Sequence, residues 1–130
     1  MGMADAHGTP IAVSVESASP AEVKLVAQTM RDRFTTALPW RLIGDKAYDS
    51  NALDAEMARF GIRMISPNRE GTRRTQDGRE LRRYKRRWKI ERTFSWLGFS
   101  RRLVVRYERY VANFEAFLHL GCFFILFKLL

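Results

Sequence analysis

The chain has 130 residues, 46% of them hydrophobic, which suits one domain that buries its own core without disulfides or structural metals. A single cysteine and two histidines exclude an internal disulfide and a zinc finger, and the reducing cytoplasm is the expected compartment. The net charge of +9 is concentrated in residues 59–109, which hold 17 basic and 5 acidic side chains. This distribution favours a polyanionic partner, with nucleic acid first and an acidic membrane surface second.

The first predicted elements are a strand and a helix. Residues 1–8 carry neither the charge nor the apolar stretch of a signal peptide, and we expect them to be a disordered end. Residues 11–15 are short, β-branched and bounded by turn residues, which predicts a strand. Ser19, Pro20 and Glu22 have the spacing of a capping box, which predicts a helix that opens there and runs to about residue 34.

The next stretch of the chain repeats this alternation. Residues 41–44 form a short apolar run that predicts a strand, and Asp45 follows its carboxyl end. Residues 51–60 have helical spacing, and Gly61 stands where a helix commonly ends. Residues 62–65 predict another strand. Strand, helix and strand at these intervals indicate an α/β fold in which crossover helices cover the sheet.

The second half of the chain is first basic and then apolar. Residues 68–77 contain no apolar side chain and predict a loop, whereas residues 78–97 return to helical spacing. Residues 101–109 form a basic connector. We expect four apolar residues of the predicted helix to be core: Trp88, Phe94, Trp96 and Leu97.

The last segment, residues 110–130, is almost wholly apolar and helical in pattern. Its length approaches the lower limit for crossing a bilayer. Because it contains Glu115, His119 and Lys128, we favour a helix buried against the sheet over a membrane span, and we expect no membrane partner.

Acidic residues stand at two candidate catalytic or metal-binding positions. Asp45 follows a predicted strand at the end where open α/β sheets place ligand and metal groups, although a helix cap or a turn is an equally good interpretation. Tyr84, Arg87 and Glu91 fall within 60° of one another on a helix and therefore share a face. Glu91 can act at a site, or it can merely pair with Arg87 one turn away.

Three stretches of the chain point to a family: GDKAYDS with Asp45, YKRRWKIERTFSWL with Tyr84, Arg87 and Glu91, and the tail RRLVVRYERYVANFEAFLHL. Together they resemble the C-terminal part of DDE-type insertion-sequence transposases of the groups labelled four and five. The resemblance covers residues 8–130. It implies a ribonuclease-H-like α/β fold, a mixed sheet with flanking helices that is truncated at its N terminus, with residues 9–130 as a partial catalytic domain that ends in a long apolar helix.

The resemblance also implies an activity, which is DNA strand cleavage and transfer at the ends of a mobile element, with Mg²⁺ as cofactor and Mn²⁺ as a substitute. The partners would be terminal inverted repeats and target DNA. Asp45 and Glu91 would be the second and third catalytic acids and metal ligands, since Mg²⁺ prefers carboxylate oxygens. The DNA-binding residues would be Tyr84, Arg83, Arg87, Arg101 and Arg102.

Two departures from the family pattern matter. The lysine expected seven residues after Glu91 is replaced by Gly98, and Arg101 or Arg102 is expected to supply that phosphate contact. The first acid is missing, because Asp5 lacks the context of an apolar strand. We therefore expect an incomplete enzyme that is inactive alone and that self-associates or pairs with an upstream-frame or full-length transposase. The alternatives are a non-catalytic DNA-binding truncation product that regulates transposition, and a non-functional remnant.

Overall fold

The computed structural model of the protein describes residues 1–17, 19–71 and 78–129, and in these ranges it shows two small sheets surrounded by helices. Strands β1 (Gly2–Ala4) and β2 (Pro10–Val13) pair antiparallel. Strands β3 (Arg41–Ile43) and β4 (Arg63–Ile65) pair parallel and in register. The mixed α/β class agrees with the sequence, whereas the described strands form two separate pairs, and the ribonuclease-H-like arrangement stays a prediction.

The helices follow the predicted order with different ends. Two 3₁₀ turns cover Lys46–Tyr48 and Arg82–Arg86. The α-helices are α1 (Glu22–Arg31), α2 (Asn51–Arg59), α3 (Gly78–Leu81), α4 (Trp88–Gly98), α5 (Arg101–Val104) and α6 (Val111–Phe127). Most of the loop predicted at 68–77, namely residues 72–77, lies outside the described residues.

The unit β3-α2-β4 confirms the predicted crossover. The Ser50 hydroxyl accepts a hydrogen bond from the Leu53 N–H at 3.4 Å and caps α2. Gly61 ends the helix with a φ of +71°, a conformation that favours glycine. Leu53 and Met57 lie one turn apart and are both buried, so one face of α2 covers the strands.

Residues 1–8, for which we expected a disordered end, contain β1 and most of the turn that follows it. Asp5 Oδ1 accepts hydrogen bonds from the N–H groups of His7 at 2.7 Å and Thr9 at 2.9 Å, and Gly8 has a φ of +83°. These contacts form the turn that joins β1 to β2. The turn depends on side-chain hydrogen bonds and one glycine rather than on apolar residues, which is why the hydrophobic pattern did not predict it.

The capping box predicted for α1 is also wrong. The helix begins at Glu22, with Ala21 as an N-cap that makes no side-chain hydrogen bond. The Glu22 carboxylate instead accepts a hydrogen bond from the hydroxyl of Tyr48, 26 residues away. The Glu22 side chain, which the local pattern assigned to the helix cap, is therefore engaged in a tertiary contact with Tyr48.

The core has two unequal parts. The larger cluster joins β1, β2, α1, α2 and the start of β4 through buried side chains of Met3, Ala12, Val26, Ala27, Met30, Leu53, Met57 and Ile62. The smaller cluster joins β2, α4 and α6 through Val13, Leu97 and Cys122. The region around α6 thus has a much thinner core than the region around α1 and α2.

The C-terminal apolar segment forms α6, a helix of 17 residues. Gly121 and Cys122 are buried, but Phe123 and Phe124 are 55% and 53% exposed, so the expectation of a buried helix is wrong for much of its surface. This helix carries apolar side chains on all its sides, whereas its neighbours β2, α4 and α5 cover only part of its surface. Among the described residues, no helix combines the length and hydropathy needed to cross a membrane.

Candidate functional site

The face predicted for Tyr84, Arg87 and Glu91 lies at a break between two helical segments. The helix predicted over residues 78–97 is interrupted, because Tyr84 belongs to a 3₁₀ turn and Arg87 is the N-cap of α4. The three side chains nevertheless meet. Arg87 Nη1 donates to Glu91 Oε1, and the Arg87 guanidinium carbon lies 5.6 Å from the centre of the Tyr84 ring. Arg87 therefore links the other two residues.

The Arg87–Glu91 pair is open to solvent. The two side chains are 52% and 58% exposed, and exposed pairs of this kind contribute little to stability. Glu91 thus forms the ion pair with Arg87 that the sequence offered as its structural role. Because the pair is weak and exposed, the carboxylate also remains accessible to an incoming ligand.

The turn between β1 and β2 positions α4, the helix that carries Glu91. Three carbonyl oxygens of this turn accept hydrogen bonds from the helix: Lys89 Nζ donates to Ala6, Arg92 Nη2 to His7, and Thr93 Oγ1 to Gly8 at 2.6 Å. Gly8 has a φ of +83°, and a Cβ atom there would lie 3.2 Å from the Lys89 carbonyl oxygen, so this position favours glycine. Glu91 lies in sequence between the donors and on the same rigid helix.

Asp45 caps the first 3₁₀ turn, which was the structural alternative for this residue. It follows β3 by two positions, is exposed, and its Oδ1 accepts a hydrogen bond from the Ala47 N–H at 2.7 Å. Gly44 next to it has Tyr48 side-chain atoms 2.8 Å from where a Cβ would stand. The backbone that presents Asp45 is therefore packed closely on the Tyr48 ring.

Tyr48 was not identified from the sequence, although it fixes the Asp45 turn to α1. Its hydroxyl donates to Glu22 Oε2 at 3.1 Å. Burial, and after it the negative charge and hydrogen bond of Glu22, raise the pKa of Tyr48 well above its ordinary value. The phenol therefore stays protonated and keeps donating this hydrogen bond.

Arg69 is a second residue whose role the sequence did not show. Its N–H donates to Asp49 Oδ2 at 2.8 Å, its Nε to the Lys46 carbonyl at 3.1 Å and its Nη2 to the Ala47 carbonyl at 2.6 Å. This side chain thus holds the carbonyl ends of the turn that Asp45 begins. In the sequence it is one arginine among many, and contacts across about 20 residues leave no local signal.

Asp45 and Glu91 belong to elements with different principal neighbours. The Asp45 turn packs on α1, whereas α4 packs on β1, α5 and α6. Within residues 1–17, 19–71 and 78–129, no group of three or more His, Cys, Asp or Glu side chains is placed to hold a metal ion. The carboxylates of Asp45 and Glu91 fit Mg²⁺ in their chemistry, but the acids described do not form a complete three-acid site.

The other predicted DNA-binding arginines have different surroundings. Burial, and after it the positive charge of Arg83, lower the pKa of Arg41. Arg101 is exposed on α5. Arg102 Nη1 donates to Glu108 Oε1 at 3.0 Å, and its guanidinium carbon lies 5.0 Å from the centre of the Phe117 ring.

Comparisons with known proteins match nearly the whole chain. The model of the family described as transposase DDE domain matches residues 1–126. A similar curated protein is a putative transposase for insertion sequence element IS402 from Burkholderia cepacia, which is 33% identical over 126 residues. The matched region covers 91% of this chain and 57% of that relative, so the chain spans a little over half of the relative's length. No solved structure matches the chain.

Proposed function

Because the chain belongs to the transposase DDE domain family, we propose that it is the part of a transposase catalytic domain that supplies two of the three catalytic acids, Asp45 and Glu91. The family acts on DNA and generally uses divalent metal ions. We propose Mg²⁺ as the ion, with Mn²⁺ as a substitute, and strand cleavage and transfer at terminal inverted repeats as the reaction. A divalent ion held by carboxylates stabilises the attacking and leaving oxygens of such a displacement.

The observation that carries this proposal is the contact of Arg87 with both Glu91 and the Tyr84 ring. Three of the residues by which the sequence resembles the family, Tyr84, Arg87 and Glu91, thus form one cluster, whereas Asp45 lies on a separate turn. In the proposed site Arg87 orients the Glu91 carboxylate, and its remaining N–H groups suit a DNA phosphate. Arg83, Arg101 and Arg102 add phosphate contacts that place the strand without reading its sequence.

We further propose that residues 9–130, with the strand β1 that precedes them, belong to a ribonuclease-H-like domain that is incomplete in this chain and inactive alone. The contacts of Asp5 support this, because its Oδ1 accepts the two hydrogen bonds that shape the hairpin turn. The first acid would come from pairing with an upstream-frame or full-length transposase, since self-association would add only a second chain that lacks it.

Nicking of terminal-repeat DNA in the presence of Mg²⁺ or Mn²⁺ tests this function. We expect no nicking by the 130-residue chain alone. Nicking should appear when the segment of the relative that this chain does not span is added. Asp45→Asn and Glu91→Gln should then each abolish it, whereas the exposed control Asp32→Asn should not. Cleavage that persists in both acid variants would contradict the assignment of these residues.

A second candidate function is a DNA-binding regulator without catalysis. It is favoured by the contacts that both acids already make, Asp45 with the Ala47 N–H and Glu91 with Arg87. Such a protein would bind duplex repeats with steep salt dependence. Binding by the Asp45→Asn variant would equal that of the parent chain, and added polypeptide would not produce nicking.

A further inference from the structure

The connector after α4 exposes aromatic rings beside arginines. Phe99, Tyr107 and Tyr110 are 83%, 74% and 65% exposed. We define residues 99–117, which comprise this connector and the first turns of α6, as the arginine–aromatic surface. Exposed rings can stack on planar ligands, and arginines beside them can bind phosphates.

Three arginines of this surface lie over three rings of α6 and its N-cap. Arg102 lies over Phe117, Arg106 over Phe114 and Arg109 over Tyr110, with guanidinium carbons 5.0, 5.7 and 5.9 Å from the ring centres. The three rings are spaced by four and three residues and therefore follow one helix face. A guanidinium held over a ring by a cation–π contact keeps N–H groups that suit phosphate oxygens.

The acids of this surface are turned to the protein. The Glu108 side chain is only 6% exposed and accepts a hydrogen bond from Arg102. Glu115 Oε1 is 3.4 Å from the Val15 N–H, to which it is hydrogen-bonded. Arg101, Arg102, Arg106 and Arg109 are all exposed. The charge presented to solvent is therefore positive, which is complementary to a polyanion.

We propose that the arginine–aromatic surface binds unpaired DNA, with phosphates on Arg102, Arg106 and Arg109 and bases on the rings of Phe99 and Tyr107. In a duplex the bases are stacked inside, so exposed rings gain no partner, whereas an unpaired strand offers the face of every base. The nature of the polyanion rests on the proposed function. The proposal goes beyond it, because it uses neither Asp45 nor Glu91 and names the form of DNA that is held.

The test measures binding by fluorescence anisotropy with three labelled ligands: an oligothymidylate of about 16 nucleotides, the same backbone with abasic sites, and a duplex of equal length. Tyr107→Ala and Phe99→Ala should each weaken oligothymidylate binding roughly tenfold and leave the abasic strand unaffected. Tyr107→Phe should bind as the parent chain does. Phe60→Ala, which removes an exposed ring from the end of α2, is the matched control and should change nothing.

The arginines give a second, independent readout. Arg106→Ala should weaken the binding of both single strands and reduce the slope of log K against log salt by about 0.7. Arg59→Ala, which removes an exposed arginine from α2, is its control. Asp32→Asn, at an exposed position outside both sites, should leave all three affinities unchanged. The nicking experiment with Asp45→Asn and Glu91→Gln tests the nuclease assignment separately, so a failed nuclease assignment and a failed binding proposal give different results.

The proposal is overturned by any of three outcomes. One is that Tyr107→Ala and Phe99→Ala weaken the abasic strand as much as oligothymidylate, which would show that the rings do not contact bases. Another is that Arg59→Ala matches Arg106→Ala, which would reduce the effect to net charge. The third is that none of the ligands binds, or that the duplex binds more tightly than oligothymidylate.

Discussion

Helices α2 and α6 use their apolar residues in opposite ways. Helix α2 has few large apolar side chains, and its Leu53 and Met57 are 1% and 0% exposed. Helix α6 is apolar almost throughout, yet Phe124 is 53% and Phe127 63% exposed. The difference shows that the spacing of apolar residues decides whether a helix buries them, because a helix that is apolar on every side needs neighbours on every side.

The largest expected effect comes from deleting a buried side chain in the first region. Met57→Ala should lower the free energy of unfolding by about 2–5 kcal/mol, because it leaves a cavity in the main cluster. Phe124→Ala should change it by about 0.5 kcal/mol or less, since the ring is half exposed. Urea unfolding monitored by circular dichroism checks both. Equal losses would mean that the α6 surface is covered in solution and would break the comparison.

A smaller effect is expected where the two regions join. Thr93→Val keeps the shape of a side chain that is 2% exposed but removes the hydrogen bond to the Gly8 carbonyl. The loss should be about 1–3 kcal/mol, because the carbonyl is left without its partner. Ser95→Ala, on the exposed side of α4, serves as the control in the same unfolding experiment. A neutral Thr93→Val variant would show that the hairpin turn does not hold α4.

The smallest expected effect is the contribution of Glu108 to the free energy of unfolding, which depends on pH. Burial opposes its charge, but hydrogen bonds from its own backbone N–H, from Arg102 and from Tyr107 outweigh this and lower the pKa of the Glu108 carboxyl. The unfolded chain therefore binds the proton more readily, so the stabilisation by Glu108 is present above its ordinary pKa of about 4.3 and is lost as pH falls through the lowered pKa.

Unfolding of the parent chain and of Glu108→Gln as a function of pH measures this contribution. The difference in unfolding free energy should be constant at neutral pH, should shrink below about pH 4 and should disappear in stronger acid. Glu16→Gln, at an exposed position, reports the background. A difference that does not change with pH would assign the effect to packing rather than to the charge of Glu108.

The parts of the fold that local sequence signals determine were predicted well. The unit β3-α2-β4 follows from the helical spacing of residues 51–60, the Gly61 end and two short apolar runs. At the N terminus β2 was predicted, whereas β1 and the turn were missed, because Asp5 and Gly8 shape the turn and β1 carries little hydrophobic pattern. The start of α1 was misplaced, because a distant Tyr48 takes the side chain of Glu22.

The candidate site divides in the same way. The grouping of Tyr84, Arg87 and Glu91 was predicted from helical angles and is observed despite the break before α4, because Arg87 is long enough to contact both neighbours. The contacts of Arg69 with the Asp45 turn were not predicted. They join segments about 20 residues apart, and only the parallel pairing of β3 with β4 brings those segments together.

The three hydrogen bonds between the hairpin turn and α4 tie the position of Glu91 to the N-terminal hairpin. They join the helix to the turn on both sides of Glu91 in sequence, at Lys89 and at Arg92 with Thr93. The Asp45 turn is held by different partners, Arg69 and Glu22. A rearrangement of the hairpin would thus reach Glu91 directly, whereas Asp45 would respond to changes around α1 and Arg69.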